Sequence, residues 1–252
     1  MLFALLPALA WAGLWLNKLV ASGSTGMAVG AVLLTLMVRQ RRGWDKVLQD
    51  ARKSASSGPD RQSENHYNAA RRGAERLVFT FSETVVAGLT LFAAGGFAFF
   101  LPFRFLAALI ARGAPEGAGR PSGPFYAAAT FFYTLTSLPA AALSALALAM
   151  SPLILPGSRA GAVRGLAAPV TGRLPLRLWP LAVVAEGLTL AFDSGPAIKK
   201  GDGAPRWIGP KDGRARLNAI DIAQAGRMVL VAEALILLII MMATSFFLTG
   251  GL

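Results

Sequence analysis

The chain has 252 residues, 54% of them hydrophobic and 15% charged, and a formal net charge of +12 at pH 7. Soluble domains carry about 25% charged residues, so this composition excludes an ordinary soluble domain and indicates a membrane protein. The sequence has no cysteine and one histidine. Disulfides, thiolate catalysis and multi-histidine metal sites are therefore excluded, and any bound metal would be a hard ion held by oxygen, such as magnesium.

The apolar runs predict an all-α fold, a polytopic membrane helical bundle that forms one integral membrane domain over 1–252. A membrane-spanning helix needs about 20 mostly apolar residues, because each adds only about 1.5 Å of rise. About five transmembrane helices are expected, at 2–17, 22–38, 78–101, 124–150 and 228–248. The first lacks the basic start of a signal peptide and is expected to remain as a helix. Pro139 is expected to kink or split the fourth.

A sixth apolar run, WPLAVVAEGLTLAF at 179–192, is too short and too interrupted to span a bilayer. It is predicted to be a short re-entrant or surface-lying, interfacial helix.

The basic residues lie in blocks between the apolar runs, which is typical of membrane topology and argues against nucleic-acid binding. Segment 39–76 holds ten Lys and Arg against five Asp and Glu, and 195–227 holds seven against three. These counts predict that 39–77 and 156–227 are cytoplasmic and that the N-terminus is inside. The expected location is the bacterial cytoplasmic (inner) membrane, with the lipid bilayer as a partner.

Carboxylates inside or beside apolar runs are costly in lipid and are therefore functional candidates. Glu83 could belong to a polar functional site, or it could be an interfacial residue paired with Arg76 or a loop arginine. Glu233 is expected to form a helix–helix hydrogen bond, and Asp193 is expected in a turn. Glu186 lies beside the short sixth run.

The segment GDGAPRWIGPKDGRARLNAIDIAQAGRM, 201–228, combines glycines with closely spaced cations. Such a segment suits a phosphate-bearing ligand, because glycine turns expose N–H groups and arginines pair with phosphate. Charge alone favours a simpler interpretation, in which the loop sets orientation and is attracted to anionic lipid. Downstream, Asn218 is predicted to cap a helix that carries Asp221 in its first turn.

Several pieces of the sequence resemble the CobD/CbiB family of membrane proteins, the adenosylcobinamide-phosphate synthases of cobalamin biosynthesis. They are PRWIG from Pro205 to Gly209, AIDI from Ala219 to Ile222, the pair Arg227-Met228, and the Trp179-Pro180 pair that opens a short alanine-containing helix. The resemblance implies an ATP-dependent amidation of adenosylcobyric acid with aminopropanol phosphate, which gives adenosylcobinamide phosphate. It also implies Mg²⁺ and ATP as cofactors.

The chain departs from the family where the family carries acidic and amide side chains. In the first family signature Glu83 and Gly88 are kept, but Thr84 and Ala87 replace asparagine and aspartate. In a second signature Phe131 and Phe132 replace two aspartates. Acidic ligands usually hold the magnesium that bridges ATP phosphates, so these losses bear directly on catalysis.

The resemblance implies roles for particular residues. Glu83 and Asp221 would be catalytic, by binding magnesium or orienting the amine. Arg206, Gly209 and Arg227 would contact phosphate, and Trp207 would pack against the ligand or the membrane interface. Two alternatives to an enzyme stay open: a non-catalytic paralogue that binds a corrinoid or phosphorylated small molecule or assists a true synthase, as a homo-oligomer or in a pathway complex, and a sensor similar to the AmpE proteins.

Overall fold

A computed structural model describes residues 2–21, 64–112, 123–168, 174, 176–193 and 207–248. The helices are α1 (Leu2–Val20), α2 (Glu64–Thr80), a π-helical turn (Phe81–Val86), α3 (Ala87–Gly95), α4 (Phe97–Arg112), α5 (Pro124–Met150), α6 (Arg159–Ala167), α7 (Trp179–Leu188) and α8 (Ala219–Leu248). Short 3₁₀ turns lie at Ser151–Leu153 and Leu176–Leu178, and the strands are β1 (Phe192–Asp193) and β2 (Trp207–Ile208). The described chain is therefore mostly helical, as predicted.

Three described stretches are long and apolar enough to cross a membrane: Ala70–Gly95, Pro124–Leu153 and Ala219–Ile240. Two shorter apolar helices cover Leu5–Val20 and Phe97–Ile110. The helical membrane-protein class is thus supported, whereas the predicted count of about five spans is not confirmed. The predicted span 22–38 lies outside the described residues.

The predicted span 78–101 has the wrong boundaries. The helix begins earlier, because α2, the π-helical turn and α3 run on from residue 64, and it ends at Gly95. Gly96 has a φ of 62°, and a new helix begins at Phe97. A positive φ is easily reached only by glycine, so this residue ends the helix inside a run that hydropathy reads as continuous.

The chain divides into two compact units, the first formed by Met1–Arg39 and Glu83–Ala140, the second by Gln40–Ser82 and Ala141–Leu252. In the first unit α1 packs along α4, and α4 also contacts α3. Asn17 of α1 accepts a hydrogen bond from the Phe97 N–H (2.8 Å) and donates one to the Gly95 carbonyl (3.1 Å). One side chain therefore satisfies the backbone groups on both sides of the break at Gly96.

Helix α5 is continuous through Pro139, so the prediction that this residue could split the helix was wrong. Proline lacks an N–H and leaves one carbonyl of the preceding turn without its helical donor. Hydroxyl groups in that turn donate to nearby carbonyls, Thr136 to Phe132 (2.8 Å) and Ser137 to Thr134 (2.9 Å). These two bonds do not reach the Leu135 carbonyl, which is the one that Pro139 leaves without a helical donor. The helix nevertheless continues through the proline, as membrane helices can.

The core of the second unit includes helix α7, which packs against α6, α8 and α2. Its residues 180–185 are all buried. The prediction of a short helix is confirmed, but a surface-lying position is wrong. The run is apolar because other helices of the protein cover it. The alternative of a re-entrant helix stays a prediction. The helix ends at Thr189, whose φ is 53°, and the Leu190 N–H closes the turn by donating to the Ala185 carbonyl (2.8 Å).

Candidate functional site

The described part of the predicted anion-binding loop is a structured segment, residues 207–218, which we call the anchored segment. Its first two residues pair antiparallel with β1, in the register Phe192↔Ile208. Further along, the Ala191 N–H donates to the Arg214 carbonyl and the Arg214 N–H donates to the Thr189 carbonyl, both at 3.0 Å. Backbone hydrogen bonds at two places thus hold the segment against the chain that leaves α7.

Gly209 has a packing role on the anchored segment. Its φ is 130°, and a Cβ there would collide with the carbonyl oxygen of Leu190. Its neighbour Ile208 is buried. The sequence suggested that this glycine exposes N–H groups to phosphate; the structure supplies a different reason for glycine here, and the proposed ligand contact stays a prediction.

Asp221 and Asn218 form a reciprocal cap at the start of α8. Asn218 Oδ1 accepts from the N–H groups of Ile220 (2.9 Å) and Asp221 (3.0 Å), and Asp221 Oδ2 accepts from the Asn218 N–H (2.9 Å). The other oxygen, Asp221 Oδ1, accepts from Arg214 Nη2 at 2.7 Å. The predicted cap is confirmed, and both oxygens of this carboxylate, which is 1% exposed, have partners within the protein.

Helix α2 contributes side chains to the anchored segment that sequence reasoning missed. The guanidinium carbon of Arg71 lies 5.2 Å from the centroid of the Trp207 ring, and that of Arg216 lies 5.8 Å from the Tyr67 ring. These are cation–π distances. Because Tyr67 and Arg71 are four residues apart, they lie one turn apart on the same face of α2. The i, i+4 spacing is visible in HYNAARR, but no sequence signal identifies partners more than a hundred residues away.

The anchored segment presents positive charge at the surface. Its exposed cations are Lys211, Arg214 and Arg216, and Trp207 is 45% exposed. The acid within this segment is Asp212, which is exposed, and the next acid along the chain, Asp221 on α8, is buried and paired. Arg227 is exposed further along α8. Arg206 lies outside the described residues.

Glu83 lies in the first unit, on the π-helical turn. Its Oε2 accepts a hydrogen bond from the hydroxyl of Tyr133 at 2.7 Å. Tyr133 is 3% exposed, and its ring stacks on Phe103 with centroids 5.3 Å apart. Glu83 therefore has a buried phenol as a partner, at a backbone irregularity of a kind that is frequent at functional sites.

The remaining candidate acids are placed as follows. Glu186 Oε2 accepts from Arg164 Nε at 3.4 Å, which links α7 to α6. Asp193 lies in β1, where its backbone pairs with Trp207, instead of in the predicted turn. Glu233 is partly buried in α8, and its predicted helix–helix hydrogen bond stays a prediction.

The magnesium and ATP that the family resemblance implies stay predictions. Among the described residues no group of three or more His, Asp or Glu side chains could hold a metal ion. Asp221, the candidate acid in the second unit, already binds a guanidinium and a helix end.

Comparisons with families of known sequences, with curated proteins and with solved structures found no match to this chain. The resemblance to the CobD/CbiB proteins therefore rests on the sequence motifs alone.

Proposed function

We propose that this chain is a multi-pass protein of the bacterial cytoplasmic membrane that is related to CobD/CbiB proteins and binds a corrinoid or a phosphorylated ligand without catalysing the amidation. The observation that carries the proposal is the anchored segment itself, which holds several cations at the surface, while the buried Asp221 carboxylate that follows it on α8 is bound to a helix cap and to Arg214. An anion receptor needs the first feature, and metal-assisted carboxylate activation would need acids that are available.

The proposed topology follows from charge. Segments 39–77 and 156–227 are the basic ones, and we place them and the N-terminus in the cytoplasm. The three membrane-length helices support a membrane location. The anchored segment then faces cytosolic, phosphorylated metabolites.

A binding experiment with a matched pair of ligands tests the proposal. The full-length protein, purified in a neutral detergent, is titrated with aminopropanol phosphate and with aminopropanol by isothermal calorimetry. The proposal requires saturable binding of the phosphate ester only, with affinity that falls as salt rises. Absence of binding, or equal affinity for the two compounds, would reject it.

The amidation itself is a second candidate, favoured by the position of Glu83 on a π-helical turn beside Tyr133. A strain that lacks the synthase, supplied with cobyric acid, provides the test. If the chain is an enzyme, its gene restores growth and Glu83→Gln abolishes that growth. Failure to grow despite confirmed expression in the membrane would exclude this candidate.

A further inference from the structure

The membrane-length stretch that contains α5 carries an exposed apolar stripe as far as its end. The stripe consists of residues that recur every three or four positions and are 46–58% exposed: Leu143, Leu146, Met150 and Leu153. Such spacing places them on one face of the helix and of the turn that continues it. Ile154, which is 65% exposed, comes next. Because Pro124–Leu153 is long and apolar enough to cross a membrane, the stripe ends where this stretch meets a membrane surface.

Helix α6 lies beside that end and turns one face outward. It contacts the 3₁₀ turn Ser151–Leu153 and packs along α7. A Cβ on Gly161 or Gly165 would collide with the backbone of α7, so both glycines face that helix. Val163 is two residues from each of them, which places it about 160–200° round the helix axis. Its 63% exposed side chain therefore points away from α7.

Arg159 joins the outward face of α6 to the end of the stripe. It is exposed and lies one turn before Val163 on the same face. Its Nε donates to the Pro152 carbonyl at 3.4 Å, and Pro152 directly precedes Leu153. A cation and two exposed apolar positions of the turn, Leu153 and Ile154, thus lie together next to α6.

We infer that Leu153, Ile154, Val163 and Arg159 form a binding surface for anionic phospholipid, which we call the lipid surface. The three apolar side chains enter the boundary of the acyl chains, and the guanidinium of Arg159 contacts a headgroup phosphate. Arginine is suited to this position because its stem packs on apolar groups while its head stays in the polar layer. The inference goes beyond the proposed function and does not depend on it, since it uses no residue of the anchored segment.

Charge selects an anionic partner for the lipid surface. Segment 156–178 contains four Arg and no Asp or Glu. Arg164 of α6 pairs with Glu186 at 3.4 Å, so its charge is partly compensated. Arg159, in contrast, donates to a neutral carbonyl and keeps its full charge. A cation among apolar side chains at a membrane surface is attracted to anionic headgroups.

The absence of cysteine allows the lipid surface to be labelled at one position at a time. Ile154→Cys and Val163→Cys each receive an environment-sensitive fluorophore in the full-length protein, reconstituted in nanodiscs of phosphatidylglycerol and phosphatidylcholine. Quenching is measured with lipids that carry a nitroxide near the headgroup or near the chain end, and with iodide in water. Leu146→Cys is the reference for deeper lipid contact, because it lies about 10 Å further along the stripe than Leu153.

Both labels of the lipid surface should be quenched more strongly by the nitroxide near the headgroup, and the label of Leu146→Cys more strongly by the nitroxide near the chain end. At position 163 a nitroxide on phosphatidylglycerol should quench at least about twofold more than one on phosphatidylcholine. Arg159→Gln should abolish this preference and Arg159→Lys should keep it. Arg72→Gln removes an equal charge from an exposed position on α2 and should leave the preference unchanged.

Three results would overturn the inference. Iodide quenching as strong as that of the free dye would show that water covers this surface. Protection from both iodide and lipid nitroxides would show that protein, such as a second copy of the chain, covers it. A preference for phosphatidylglycerol that survives Arg159→Gln would show lipid contact without recognition of the anion. None of these results changes the calorimetric titration, so the proposed function stands or falls separately.

Discussion

Asn17 shows how one polar side chain makes an interrupted apolar helix possible. Its amide bonds to the Gly95 carbonyl and the Phe97 N–H, which are the backbone groups released where α3 ends and α4 begins. In a bilayer no water is available to satisfy such groups. An amide is suited to this place because it carries a donor and an acceptor on one rigid plane.

Asn17→Leu should therefore destabilise the first unit by about 2–4 kcal/mol, because it leaves a donor and an acceptor unsatisfied. The measurement is reversible unfolding in mixed micelles, followed by circular dichroism. Trp11→Leu, at a 70% exposed position on the same helix, is the control and should change little. Equal stability of Asn17→Leu and wild type would show that water or lipid headgroups satisfy the break.

Gly209 is the residue at which the anchored segment depends most on the absence of a side chain. Gly209→Ala should destabilise the second unit by about 1–3 kcal/mol, since φ is 130° and the added methyl group meets the Leu190 carbonyl. In the control Gly187→Ala, the new Cβ would lie 3.5 Å from the flexible end of Met228, so little change is expected. Thermal unfolding of both variants decides the matter, and a tolerated Gly209→Ala would contradict this account of the loop.

At the scale of elements, the irregular part of the long helix carries its own stabilising contact. Tyr133 of α5 donates to Glu83 on the π-helical turn while its ring stacks on Phe103. Tyr133→Phe keeps the stacking and removes the donor. It should cost about 1.5–3 kcal/mol of stability in the same unfolding assay, the value of a hydrogen bond to a charged group.

Glu83→Gln is the partner variant for that prediction. Glutamine retains an oxygen that can accept from Tyr133, so its destabilisation should be smaller than that of Tyr133→Phe. A larger effect for Glu83→Gln would show that the carboxylate charge, and not this hydrogen bond, stabilises the π-helical turn.

The elements that sequence reasoning placed correctly are those with local signals. Hydrophobic runs identified α5 and α8, and the Asn218 and Asp221 spacing identified the cap of α8. The break at Gly96 was missed, because hydropathy reads the apolar run as continuous and because the side chain that satisfies the break, Asn17, is 78 residues from Gly95 in sequence. Helix α7 was misplaced for a related reason: an apolar surface is required by contact with lipid and with other helices alike.

At the scale of the whole molecule, composition was sufficient to indicate a helical membrane protein, but it was not sufficient to give the number of membrane-spanning helices. Hydropathy counts apolar length, but Leu5–Val20 and Phe97–Ile110 are short helices that pack against each other in one unit. The candidate site was predicted in part. Trp207, Gly209 and Asp221 belong to one anchored structure, whereas Tyr67 and Arg71 join it only through tertiary contacts.

The central claim is that the anchored segment is an anion-binding surface on the cytoplasmic side of the membrane, and its sidedness can be measured directly. Because the chain has no cysteine, Ala215→Cys introduces one labelling site into the segment. The rate of its reaction with a membrane-impermeant maleimide is compared between intact cells and inverted membrane vesicles. The account predicts labelling in inverted vesicles alone, slowed by added phosphoethanolamine. Labelling from outside intact cells would contradict it.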